Sequence, residues 1–123
     1  IFNLLPKPAA TIKVFVLDSL IFGQDGISDL VSNKSVKLFP DDIRNKKILT
    51  DVFNDIDCVI HLAAIVGGPL CSKIPEAAKQ INELATKQII DSCKKAGVQR
   101  LIFASTCSNY GSALETVNED TPR

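Results

Sequence analysis

The sequence has no surplus of charge: fourteen basic residues balance fourteen acidic ones. That balance removes the electrostatic footprint expected of a nucleic-acid-binding protein or one that sits on an acidic membrane surface. Long hydrophobic runs are missing too, since the longest, residues 59–66, is interrupted and far too short to span a bilayer. Residues 1–6 carry neither a basic start nor a long apolar stretch, so they do not form a signal peptide. Opening on Ile1 rather than methionine is expected of an excerpt or a processed product. The four cysteines, Cys58, Cys71, Cys93 and Cys107, contain no C-x-x-C pair and no metal-ligand spacing, and His61 is the single histidine. A metal centre or a disulfide framework is therefore not expected. Reduced thiols acting as small hydrophobes in a cytoplasmic protein fit better.

At 123 residues the chain is one domain at most, because domains commonly run to about 100–150 residues. Its apolar share, 46%, is ordinary for a soluble globular protein with one sizeable core. β-branched and apolar residues over 12–17 predict a strand that stops at Asp18. Leu30 and Val31 suit a short helix, and residues 35–39 a second strand ending before Asp41 and Asp42. A helix is expected over 44–53, with Asp41 or Asp42 as its cap. Residues 58–62 read as the clearest strand, followed by Ala63, Ala64 and a loop through Gly67, Gly68 and Pro69. A long helix is predicted over 75–96, where Ala78, Ile81, Ala85, Ile89 and Cys93 recur at three- and four-residue spacing. Pro75 suits its first position and Gly97 the left-handed position past its end. A last strand covers 100–104. Alternating strands and helices of this kind predict an α/β fold with a parallel, doubly wound sheet.

Residues 101–104 form an apolar run that ends abruptly in the hydroxyls of Ser105, Thr106 and Ser108, followed by Tyr110 and Gly111. Open α/β sheets bind ligands just beyond the carboxyl ends of their strands, where small hydroxyl side chains can hydrogen-bond a substrate without filling the cleft. A Ser/Thr-rich loop that merely closes a strand is the structural alternative.

Five short motifs follow one another in order. They are Asp18 after a strand, Asp42 with Ile43, Arg44 and Asn45, then His61-Leu62-Ala63-Ala64, then Asn82-x-x-Ala85-Thr86, and Ser105-Thr106-x-x-x-Tyr110-Gly111. Together they resemble the NAD-dependent epimerase/dehydratase family, the extended short-chain dehydrogenases/reductases that act on nucleotide sugars. The resemblance covers roughly residues 10–122 and implies one partial, Rossmann-like NAD-binding domain over 1–123, without the substrate-binding part. It implies that Asp18, Ser19, Asp42, Ile43, Leu62, Ala63, Ala64 and Asn82 meet the cofactor, and that Thr106 and Ser108 meet the substrate. In the family Thr106 matches the hydroxyl that helps polarise the reacting sugar hydroxyl. Physical reasons stand beside two of these roles. A carboxylate ending a strand accepts hydrogen bonds from ribose hydroxyls and repels a 2′-phosphate, and no lysine or arginine occurs in residues 19–30 to offset that repulsion. NAD is thus favoured over NADP. Ala63 and Ala64 leave room for close approach of backbone to cofactor, whereas His61, alone in an apolar strand, suits a satisfied core histidine.

The chain also departs from the family. Asp41 stands where a glycine usually precedes the aspartate, and Val66 where some sugar epimerases have lysine. The family's acid/base is a tyrosine with a lysine four residues on, but Tyr110 is followed four residues later by Leu114. The glycine-rich phosphate loop should precede Asp18, yet the first glycine is Gly23. The family's strand order places its first strand between those ending at Asp18 and Leu62. Its absence would leave two unpaired edges, and an isolated chain that is poorly stable, associates or rearranges. Two readings follow: part of a nucleotide-sugar epimerase or dehydratase that is inactive alone, or a non-enzymatic Rossmann-like module. The helix over 75–96 matches part of the family's dimer surface, so a homodimer is one expected state.

Overall fold

A computed structural model describes residues 12–23, 25–111 and 116–121 of the chain. Two strands open it, β1 (Val14–Asp18) and β2 (Val36–Pro40), with the short helix α1 (Ser28–Val31) between them. They pair in parallel, Val14 opposite Val36 and Asp18 opposite Pro40. The second parallel pair is β3 (Cys58–His61) with β4 (Arg100–Phe103), His61 opposite Phe103. Each strand lies within two residues of its expected bounds, because β-branched and aromatic runs flanked by turn residues define strands well. No strand among the described residues joins β1 to β3, and the sheet is split into two pairs at that gap.

Between β2 and β3 lies α2 (Lys46–Val52), which starts two residues later than its apolar pattern suggests. Its cap is Asn45, whose side chain accepts from the Lys47 and Ile48 amides, and neither Asp41 nor Asp42 caps it. The reason is local. Asp42 closes its own turn by accepting from the Arg44 amide, while Asp41 holds the Asn45 side-chain amide at 3.1 Å. The segment after β3 differs more. Gly68 and Pro69, expected in a loop, instead begin a helix, α3 (Gly68–Lys73), with proline in its first turn, where the missing N–H costs nothing. The expected long helix is present over residues 75–96 but is not uniformly α: α4 (Pro75–Ala78) passes into a π-helical segment, Lys79–Ala85, and then into α5 (Thr86–Ala96). Gly97 takes the left-handed conformation at φ 74°, and the Val98 amide reaches back to the Cys93 carbonyl, closing the helix as its position predicts.

The core is a single cluster of Ile43, Leu49, Val52, Phe53, Ala85, Ile89 and Cys93. Phe15, Leu17 and Phe39 reach it from the first strand pair, and Val59, Ala63 and Leu101 from the second. The helices α2 and α5 therefore cover one face of both pairs. The opposite face of β3 and β4 is bare among the described residues: Ile60 is 61% exposed and its register partner Ile102 46%. Cys58, expected to pack as a small hydrophobe, is exposed on that same face, since alternate strand residues share a side. Cys93 is buried as expected, and Cys58, Cys71 and Cys93 are free thiols. No helix among the described residues is long and apolar enough to cross a membrane.

Candidate functional site

Parallel pairing puts the carboxyl ends of β1 and β2 on one edge, and those of β3 and β4 likewise. Most of the residues singled out from the sequence fall at or just beyond those ends, and Asn82 lies in the helical stretch that follows β3. Asp18 is the last residue of β1 and is exposed. Its Oδ1 accepts from the Leu20 amide at 2.7 Å, which turns the chain sharply away and leaves Leu20 at φ 54°. A left-handed leucine is uncommon, and such conformations persist where neighbouring contacts hold them. Oδ2 of Asp18 has no partner among the described residues, so the carboxylate retains an open acceptor at the strand end. Ser19, next to it, is exposed.

Asp42 is engaged more fully. Oδ1 accepts from the amide and Nε of Arg44, and Oδ2 from Nη2 at 2.6 Å. The hydrogen bonds from the Arg44 side chain hold the Asp42 carboxyl below its ordinary range, although burial opposes them. The pair is half in solvent, so its contribution to stability is small. Ile43 packs its side chain into the core, which leaves only its backbone to face a ligand.

At the end of β3, Leu62 and Ala64 are exposed and Ala63 is half-buried. The backbone here is held from the helix side. Asn82 Nδ2 donates to the Ile65 carbonyl, and Asn82 Oδ1 accepts from the Ile65 amide, both at 2.8 Å. Asn82 thus grips the segment after β3, a use of its side chain that its helical position alone does not disclose. His61 is buried, 4% exposed, with Nε2 2.9 Å from Thr86 Oγ1. The expected satisfied core histidine is what the structure contains. Thr86 ends the Asn82-x-x-Ala85-Thr86 motif, and its i, i+4 spacing from Asn82 is the sequence signal for their hydrogen bond.

Past β4, the Ala104 amide donates to the His61 carbonyl and carries the pairing one step further. Thr106 is exposed, and its Oγ1 accepts from the Ser108 amide at 3.1 Å to open the 3₁₀ turn Cys107–Tyr110. This leaves the Thr106 hydroxyl hydrogen without a partner among the described residues. Ser108 is exposed beside it. The described residues hold no cluster of three or more potential metal ligands. A separate shallow groove between α2 and α5, lined by Lys46, Lys87, Asp91 and Lys95, lies on the helices rather than at the strand ends.

Burial pushes the His61 imidazole below its ordinary value of 6.5. The folded state then disfavours the proton that the unfolded chain takes up, so stability rises with pH through this window. Melting temperature is expected to be level above about pH 6.5, the unfolded histidine's range, and to fall as pH drops below it. The acid loss from Asp42, a depressed carboxyl, begins lower, below about pH 4. Melts that coincide at pH 7.5 and 5.5 would contradict this assignment.

The family description "NAD dependent epimerase/dehydratase family" matches residues 9–123. Among curated proteins, human sterol-4-alpha-carboxylate 3-dehydrogenase (decarboxylating) is 32% identical over 92 residues, which are 73% of this chain and 24% of that protein. The dTDP-D-glucose 4,6-dehydratase of Dictyostelium discoideum is 28% identical over 120 residues, 94% of this chain and 28% of that one. Among solved structures, UDP-glucuronic acid 4-epimerase from Bacillus cereus in complex with NAD superposes with a TM-score of 0.77 at 31% identity, over 88% of this chain and 36% of that one. The chain thus spans between a quarter and somewhat over a third of the length of these relatives. Five motifs in register, parallel strand pairs with their chosen residues at one edge, and a family match over nearly the whole length agree: the chain belongs to the NAD-dependent epimerase/dehydratase family.

Proposed function

We propose that this chain supplies the adenosine side of an NAD site and the hydroxyl edge of a substrate site in an enzyme that oxidises a nucleotide-sugar hydroxyl. Bound NAD supplies the hydride acceptor. The observation that carries the reading is the Asp18 carboxylate at the end of β1, with one oxygen fixed by Leu20 and the other open among the described residues. Such a group accepts from ribose hydroxyls. The small side chains of Ala63 and Ala64 let the backbone after β3 approach a cofactor closely, Ser19 and Leu62 border it, and the Ile43 amide and Asp42 stand beside the adenine end. Thr106 hydrogen-bonds the reacting hydroxyl and Ser108 a neighbouring one. Residues 1–123 alone do not turn over. Free thiols at Cys58, Cys71 and Cys93 suit a cytoplasmic setting, and the helix over 75–96 is the surface on which two copies would pair.

The sterol dehydrogenase relative shows that the family's substrates extend beyond sugars, but the dehydratase and epimerase relatives favour a nucleotide sugar. Ligand-observed NMR on residues 1–123 tests the cofactor half. NAD is expected to bind no tighter than about millimolar, since the phosphate cradle contributes nothing here. NADP should bind more weakly still, and Asp18→Asn should narrow that difference. Equal or tighter NADP binding would overturn the role given to Asp18.

A further inference from the structure

Thr86 Oγ1 lies 2.8 Å from the Asn82 carbonyl and 2.9 Å from His61 Nε2. A carbonyl oxygen only accepts, so the single hydroxyl hydrogen of Thr86 goes to Asn82. The Thr86 oxygen is left as an acceptor, and His61 Nε2 must carry the hydrogen it receives. The geometry therefore fixes the imidazole tautomer. The opposite tautomer would set two lone pairs against each other in a buried place, where an unsatisfied contact is costly.

The same helical stretch holds the segment after β3. Asn82 sits inside the π-helical segment Lys79–Ala85, and its amide matches the Ile65 backbone donor for acceptor and acceptor for donor. A π insertion adds a residue to a turn and so rotates everything on one side of it relative to the other. Which way Asn82 points thus depends on where the insertion ends. Thr86 is the residue at which it ends: its amide turns to the Glu83 carbonyl, and its hydroxyl takes the Asn82 carbonyl. Hydroxyl bonding to a carbonyl four residues back is a known way to bend a helix. His61, from the sheet, donates Nε2–H to the oxygen of that hydroxyl.

We propose that His61 is a positioning residue: by donating Nε2–H to Thr86 it fixes the end of the π segment, aims Asn82 at Ile65, and so sets the backbone of residues 62–66. This inference rests on the proposed function only in naming that backbone as a cofactor wall. The His61–Thr86–Asn82–Ile65 connection itself is independent of any ligand.

The test uses this chain, with hydrogen exchange at the Ile65 amide as the readout and the Ile89 amide in α5 as the control for general loosening. Thr86→Val keeps shape and removes the hydroxyl, whereas Thr86→Ser keeps the hydroxyl. His61→Phe keeps a ring and removes the donor. Thr86→Val and His61→Phe are expected to speed Ile65 exchange relative to Ile89 by roughly tenfold, the scale of one lost hydrogen bond. Thr86→Ser should stay near the parent. Unchanged Ile65 exchange in His61→Phe, or equal loss in Thr86→Ser and Thr86→Val, would overturn the proposal. Should the apolar variants not fold, the parent and Thr86→Ser decide it by imidazole ¹⁵N shifts. Neutral His61 protonated at Nε2 in both supports the connection, and protonation at Nδ1 overturns it. NAD affinity separates the two readings: faster Ile65 exchange with unchanged NAD binding keeps the connection and removes the cofactor wall.

Discussion

Replacing Thr106 by alanine in an enzyme that contains this chain is expected to cut turnover about 10²–10⁴-fold, the scale of lost acid/base assistance. Thr106 stands just past β4 with its oxygen accepting from Ser108 and its hydrogen unassigned, so it is oriented and still able to donate. A hydroxyl so placed can polarise a sugar hydroxyl but is far too weak a base to remove its proton near neutral pH. His61 cannot take over that task, because it is buried against Thr86. Tyr110 lacks a lysine four residues on. Groups of this kind act as a unit, so residues 1–123 alone are expected to show no turnover. NADH absorbance with product chromatography across a panel of nucleotide sugars checks both statements. Turnover by the bare chain, or an unaffected Thr106→Ala enzyme, would place the chemistry on other residues.

Leu49→Ala is expected to destabilise the fold by about 2–5 kcal/mol, the range for truncating a fully buried leucine. Leu49 is 0% exposed and sits in the cluster that joins α2 to α5. Domain stabilities are only about 5–15 kcal/mol, and one face of β3 and β4 is uncovered among the described residues, so the loss is a large fraction of the total. Denaturant melts measure it directly. Leu84→Ala, at a position 39% exposed, is the comparison and should cost less than about 1 kcal/mol. Equal costs at the two positions would mean that the core lies elsewhere.

The strands and the final helix were legible because their signals are local: β-branched runs, an apolar stripe, and a glycine at the left-handed position after Ala96. The positions of the proposed site residues were legible for a different reason. Asp18, Ala63, Ala64 and Thr106 stand next to strand ends, and parallel pairing carries all strand ends of a pair to one edge. Local competition hid the rest. Asp41, Asp42 and Asn45 are all good caps, and only the hydrogen bonds among them decide that Asn45 caps α2. Gly67, Gly68 and Pro69 look like helix breakers, yet proline in a first turn starts α3. The π segment, Lys79–Ala85, was invisible because Ile89 and Cys93 keep four-residue spacing from Ala85, its last residue, so the apolar stripe continues across the added residue. The exposure of Cys58, Ile60 and Ile102 depends on which faces other elements cover, which no local pattern states.

Amide shifts mapped during an NAD titration of this chain test the central claim most directly. The adenosine-side assignment predicts changes grouped at Asp18, Ser19, Leu20, Ile43, Ala63, Ala64 and Ile65, all at or just beyond the carboxyl ends of the strands. Changes grouped instead along Lys46, Lys87 and Lys95, in the groove between α2 and α5, would contradict it.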